Sequence, residues 1–144
     1  MVDKNTLLLN FKDRIPSDSV AAFKESLDKA DDETLEKIML LSIKNPLVGL
    51  LLSLFLGVFG VDRFYKGDVK LGILKPISFF ASYILTLIFA TAYLDSGDNG
   101  FAILTFIFGV ILIATLIWCI VDIFLVYFGI KKDNLSKIYS VLQK

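Results

Sequence analysis

Residues 46–70 read PLVGLLLSLFLGVFGVDRFYKGDVK. An apolar segment with glycines at helical spacing runs straight into Asp62-Arg63-Phe64-Tyr65 and then Gly67. Apolar sequence that ends in a charged, aromatic turn suits a chain that enters a bilayer and stops at its surface. Tyr65 has one apolar and one wet end, which fits that interface. Gly67 fits a turn that needs a positive φ. Gly49, Ser53 and Gly57 recur every four residues, with Gly60 close behind, so one helix face carries almost no side chain. Small-residue faces let helix backbones approach closely inside a membrane. Two uses of this face stand open: contact with a second copy, or packing on the chain's own helices.

Outward from this stretch, the apolar excess fills residues 46–130. The chain of 144 residues is 56% hydrophobic, against about 45–50% for a soluble domain. Its mean hydropathy is +0.70. Segment 46–61 is short for a bilayer that takes roughly 20 residues of helix, although Lys44 can lengthen it by snorkelling. Segment 71–94 is long enough. Lys75-Pro76 lies near its start, where a helix kinks or begins afresh. DSGDNG at 95–100 is a turn. Segment 101–130 makes about 45 Å of helix at 1.5 Å per residue, more than a hydrocarbon core of roughly 30 Å. The membrane part is therefore expected to end near Asp122, with FLVYFGI running along or out of the interface.

The fold class is thus all-α: a small helical integral membrane protein. Residues 46–130 form the transmembrane domain, with about three transmembrane helices. Residues 1–45 are a polar helical tail and residues 131–144 a basic one. Three crossings place the N-terminal tail and the 95–100 turn on one side. The 62–70 loop and the C-terminal tail then lie on the other, with Arg63, Lys66, Lys70, Lys131, Lys132, Lys137 and Lys144. The positive-inside rule makes that second side cytoplasmic. A re-entrant segment 46–61 would return the N-terminal tail to the cytoplasm.

The N-terminal tail holds 16 of the chain's 30 charged side chains. Leu7, Leu8, Leu9 and Phe11 fit a short helix or a strand. Beyond Pro16, Ser17-Asp18-Ser19 is a helix start. Val20, Phe23, Leu27 and Ala30 then mark one stripe on a helix of roughly 17–30. Leu35, Ile38, Met39 and Ile43 mark a second helix of about 33–44. Asn45-Pro46 ends it, because a residue before proline avoids the α region. This amphipathic hairpin needs a cover for its stripes: each other, the bilayer surface, or another protein. MVDKNTLLLNFKDR has too short an apolar core for a cleavable signal peptide, so insertion is expected from internal segments.

Lys75 and Asp122 are charges set inside apolar sequence, where they are costly and face a bundle interior or an interface. Asp122 follows Phe101 by about 30 Å of helix. Both charges therefore fall near the membrane face that carries Asp62 and Arg63. A mutually neutralised cluster of Asp62, Arg63, Lys75 and Asp122 is expected. Trp118 shares Asp122's helix face one turn earlier. The role of the charge cluster is open between a salt bridge that fixes helix register and a proton, ion or lipid-headgroup site.

The formal net charge is zero, so no basic field draws nucleic acid. There is no histidine, which removes the commonest general base and metal ligand. Cys119, the single cysteine, lies in apolar sequence, where it packs rather than reacts. No catalytic residue, metal site or cofactor is expected, and the chain reads as not an enzyme. The expected partners are the lipid bilayer and either a second copy or another membrane protein.

The run GLLLSLFLGVFGVDRFYKG at 49–67, then Gly72-Ile73-Leu74-Lys75, then Trp118-Cys119-Ile120-Val121-Asp122, resembles the two-transmembrane "TM-two" domain family. That family's pattern is an apolar helix ending G-x-x-G-hydrophobic-D/H-R-F-Y-x-G, a G-x-x-K/Q, and a later W-x-x-x-D. The lead-in to Lys44-Asn45-Pro46 and the stretch Gly129 to Asn134 are similar to bacterial members. One departure is plain. The family joins its blocks by a short segment with G-G-x-G-I-W, whereas here an apolar hairpin of about 79–112 is inserted and Leu116-Ile117 precede Trp118. The resemblance implies an integral membrane protein with a DRF loop, acting in signalling or regulation, with no established catalytic activity. For a bacterial member it implies multi-pass placement in the inner (plasma) membrane. The expected function is a small interaction or regulatory module that uses the DRFY loop and the helical tail. The alternative is an oligomeric transport or channel component that uses Lys75 and Asp122.

Overall fold

A computed structural model describes residues 3–143. They form helices joined by turns, with no strand among the described residues. The helices are α1 (Lys4–Phe11), α2 (Val20–Lys29), α3 (Asp32–Met39), α4 (Pro46–Leu56), α5 (Val61–Lys66), α6 (Val69–Ser96) and α7 (Asn99–Leu142). A 3-10 turn, Gly57–Phe59, follows α4. The chain divides into two compact units. One takes the residues as far as Gly49 together with those from Val126 on; the other is Leu50–Leu125.

In the first unit, aspartates open two of the helices. The Asp3 carboxylate accepts from the N–H groups of Asn5 and Thr6 at the start of α1. Asp31 accepts from Thr34 N–H at the start of α3. Such caps satisfy amides that a helix start leaves open. The segment 1–15 therefore holds a helix, where the residues alone also fitted a strand. Leu7, Phe11, Ile15, Phe23, Leu27, Leu35 and Ile38 pack into one buried core with Ile138 of α7. The stripes of the N-terminal hairpin are thus covered by α1 and by the far end of the chain.

One feature differs from the pattern. α3 ends at Met39 rather than near 44, and Met39 is 56% exposed. Asn134, buried on α7, holds the backbone there. Its Oδ1 accepts from Lys44 N–H at 3.0 Å, and its Nδ2 donates to the carbonyl of Lys44 at 2.8 Å. A helix continued through residue 44 would need that N–H for its own ladder. The same Nδ2 donates to the Arg14 carbonyl at 2.9 Å.

In the second unit, α6 and α7 are joined by the expected turn at 95–100. Gly97, at φ 68, closes α6, and the Asp98 carboxylate takes Gly100 N–H at 2.8 Å. Phe89 stacks on Phe108 with ring centroids 5.5 Å apart, which ties the two helices together. Pro76 neither breaks nor starts α6, which runs through it for 28 residues. α7 continues past Asp122 for 44 residues in all. Its buried positions, Thr115, Cys119, Asp122, Val126, Ile130, Asn134 and Ile138, follow each other by three or four residues, one stripe from Thr115 onward.

Both long helices are of membrane-crossing length, and only 6% and 11% of their most apolar windows are buried within the protein. A soluble protein's core helix would be mostly buried, and a water-facing apolar surface of this extent is not sustained. Lipid is the environment that fits. α4 with its 3-10 turn has 14 residues, about 21 Å of chain at helical rise. The transmembrane domain thus has two helices of crossing length and a shorter apolar third.

Candidate functional site

The site is built on α5, six residues held between two left-handed glycines, Gly60 (φ 72) and Gly67 (φ 108). A side chain is strained at either position. Gly60 also rests on α6, where a Cβ at 60 would overlap the carbonyl oxygen of Gly72. Pro76, four residues on, has no N–H to bond that carbonyl in the helix ladder. The close approach of Gly60 therefore displaces no helix hydrogen bond. Gly72 in turn leaves room for Phe64, whose ring would lie 3.0 Å from a Cβ at 72.

These contacts carry Asp62 and Arg63 to Lys75 on α6 and Asp122 on α7. Lys75 Nζ lies 2.7 Å from Asp62 Oδ2 and also pairs with Asp122. Arg63 grips Asp122 at two points, through Nη2 to Oδ1 and through Nε to Oδ2 at 2.8 Å. Asp62, Lys75 and Asp122 are wholly buried, and Arg63 is 6% exposed. At the rim, Asp68 pairs with Arg63 at 2.8 Å and with Lys66 at 2.7 Å. Ser53 Oγ donates to Asp62 Oδ2 at 3.0 Å. Asp62, Asp68 and Asp122 are thus set against Arg63, Lys66 and Lys75. Asp62 Oδ1 is buried without a hydrogen-bond partner.

A buried ion costs several kcal/mol to desolvate, and mutual pairing with good geometry offsets this. The two-point Arg63–Asp122 contact is the strong form of such a pair. The hydrogen bond from Lys66, and then that from Arg63, holds the Asp68 carboxyl below the usual carboxylate range despite some burial. Arg63 is raised above its ordinary value, chiefly by Asp122.

Among the other residues singled out, Phe64 is 44% exposed, and Tyr65 and Trp118 are half-buried. Gly49, Ser53, Gly57 and Gly60 are all buried. Cys119 is a buried free thiol one turn before the ion cluster. Among the described residues no group of three or more His, Cys, Asp or Glu side chains stands ready for a metal. Three contributors escaped the sequence reading: Lys66, Asp68 and the hydroxyl of Ser53. The left-handed turn at Gly67 brings Asp68 back onto Arg63, and no residue spacing announces that. Ser53 read only as a small packing residue.

Fold and site together define a small all-α membrane protein whose helices are joined by a buried ion cluster. Residues 42–92 match the family model described as the TM2 domain. That match agrees with the resemblance read from the DRFY stretch. No curated protein and no solved structure matches the chain.

Proposed function

We propose that the protein is a multi-pass component of the bacterial inner membrane that works as an interaction or regulatory module, without a reaction of its own. The observation that carries this reading is the state of the cluster. Lys75 and Asp122, the charges a transport path would use, are wholly buried and paired with Arg63 and Asp62. Such a cluster fixes α5, α6 and α7 in register. The surfaces left for recognition are α5, where Phe64 is exposed, and the charged exterior of the first unit. The partners would be lipid together with another membrane protein or a second copy, and not nucleic acid.

The alternative, an oligomeric transport or channel component, draws on one observation: Asp62 Oδ1 lacks a partner inside a buried charged site. Ion flux through proteoliposomes separates the two readings. The interaction module gives no flux above empty vesicles. A flux that Asp122→Asn abolishes would establish the transport reading in its place.

A further inference from the structure

We propose that the first unit carries a docking face for anionic lipid headgroups, formed by Lys12, Arg14, Lys131, Lys132 and Lys137, with Met39 and Leu40 entering the acyl boundary beside them. The proposal builds on the reading of lipid as a partner. It adds the headgroup charge and the residues that meet it.

Charge in the first unit is segregated along α7. Asn134 marks the basic end. Its side chain bonds the backbone of Arg14 and Lys44, and Lys137 Nζ reaches the Ser42 carbonyl at 3.3 Å. Lys12 and Arg14, just after α1, thus come to the level of Lys131, Lys132 and Lys137 on α7. Further along α7, Tyr139 and Gln143 share a cleft with Lys29, Asp31 and Thr34. Lys4, at the start of α1, donates to the carbonyl of Asp28 at 2.9 Å and to that of Ala30. This far end holds Glu25, Asp28, Asp31, Asp32 and Glu33. Lys132 and Gln143 are separated by about 16 Å of helix, against a Debye length of about 8 Å at physiological salt. The acids of the far end therefore leave the basic end positive. Asp13, Asp18 and Asp133 lie close to the bases in sequence and are outnumbered by them.

Apolar exposure falls at the same end. Met39 is 56% and Leu40 79% exposed. They precede Ser42 closely and take no part in the unit's core. Leu47 at the start of α4 and Phe128, three residues before Lys131, are 60% and 55% exposed. They continue the lipid-facing surface of the long helix up to the bases. Lysine stems along acyl chains with ammonium groups among phosphates suit such a place. A second copy meeting this face with its own would set like charges together, which is costly.

The full chain is placed in nanodiscs of phosphatidylcholine, and of phosphatidylcholine mixed with phosphatidylglycerol. Hydrogen exchange of the unmodified chain at residues 37–42 should be slower in the mixed discs by at least about fivefold, the worth of one base at an anionic surface. High salt should remove the difference, and residues 25–33 should exchange alike in both. A fluorophore on Leu40→Cys, in a Cys119→Ser chain, should be quenched by spin-labelled lipid in the mixed discs. One on Asp28→Cys should not. The triple variant Lys12→Gln, Arg14→Gln, Lys132→Gln should abolish the lipid difference in exchange. Equal exchange of the unmodified chain in the two discs, or equal quenching at the two positions, would overturn the proposal. So would glycerol 3-phosphate that reproduces the slowing in phosphatidylcholine discs, because the occupant would then be a soluble phosphate. Ion flux decides separately between module and channel, so this face can fail while the module reading stands.

Discussion

Lys75 lies fully buried between two carboxylates, so its removal leaves Asp62 and Asp122 near each other as buried like charges. Lys75→Met should cost about 3–5 kcal/mol, the range for breaking a buried pair, read as a loss of thermal stability in detergent. Arg63 and Asp122 act as one unit through two hydrogen bonds. A cycle of Arg63→Ala, Asp122→Asn and the double variant should be non-additive by about 0.5–3 kcal/mol. Losses that simply add would mean the pair does not form in the membrane. Asp68 carries the acid dependence that can be read at the rim. Its folded value is depressed, so its contribution is present above the unfolded carboxylate value and is lost as pH falls through the lower folded one. With its side chain 35% exposed, the effect stays within roughly 1 kcal/mol. Asp68→Asn should flatten the acid limb of a stability profile without removing it.

At the scale of elements, the glycines of 46–70 separate by what surrounds them. Gly60 has a positive φ and the Gly72 carbonyl against it, whereas a Cβ at Gly57 meets nothing within 4 Å. Gly60→Ala should lose about 1–3 kcal/mol to conformation alone, with the overlap on α6 added. Gly57→Ala should be neutral or gain up to about 1 kcal/mol in helix propensity. Equal thermal shifts for the two would contradict the seating of α5 on α6. Both glycines were legible as small residues near a helix end. The reason for Gly60, a Gly72 carbonyl left unbonded by Pro76, needs α6 laid beside α5. Periodicity placed α2 well, because Phe23 and Leu27 face one core. It ran α3 too far, because a side chain from α7 takes the Lys44 backbone. Asn134→Ala would leave the Lys44 and Arg14 backbone groups without that partner. It should cost about 1–3 kcal/mol, seen as faster hydrogen exchange around residues 41–45.

For the molecule as a whole, the two units are formed by chain that leaves and returns: α7 starts in one and ends in the other. The apolar content of 46–130, the turn at 95–100, the DRFY stretch and the charges at Lys75 and Asp122 are properties of the sequence. They established an all-α membrane protein by themselves, because hydropathy and helical period are local and additive along the chain. What covers each stripe is not local. Asn134 meets Arg14 across 120 residues, and Ile138 closes a core begun at Leu7. Only the tertiary structure decided that the chain ends form one body and that Asp68 and Ser53 join the ion cluster. Such pairings depend on which surfaces meet once the backbone has turned, and periodicity gives a helix an apolar face without naming what covers it.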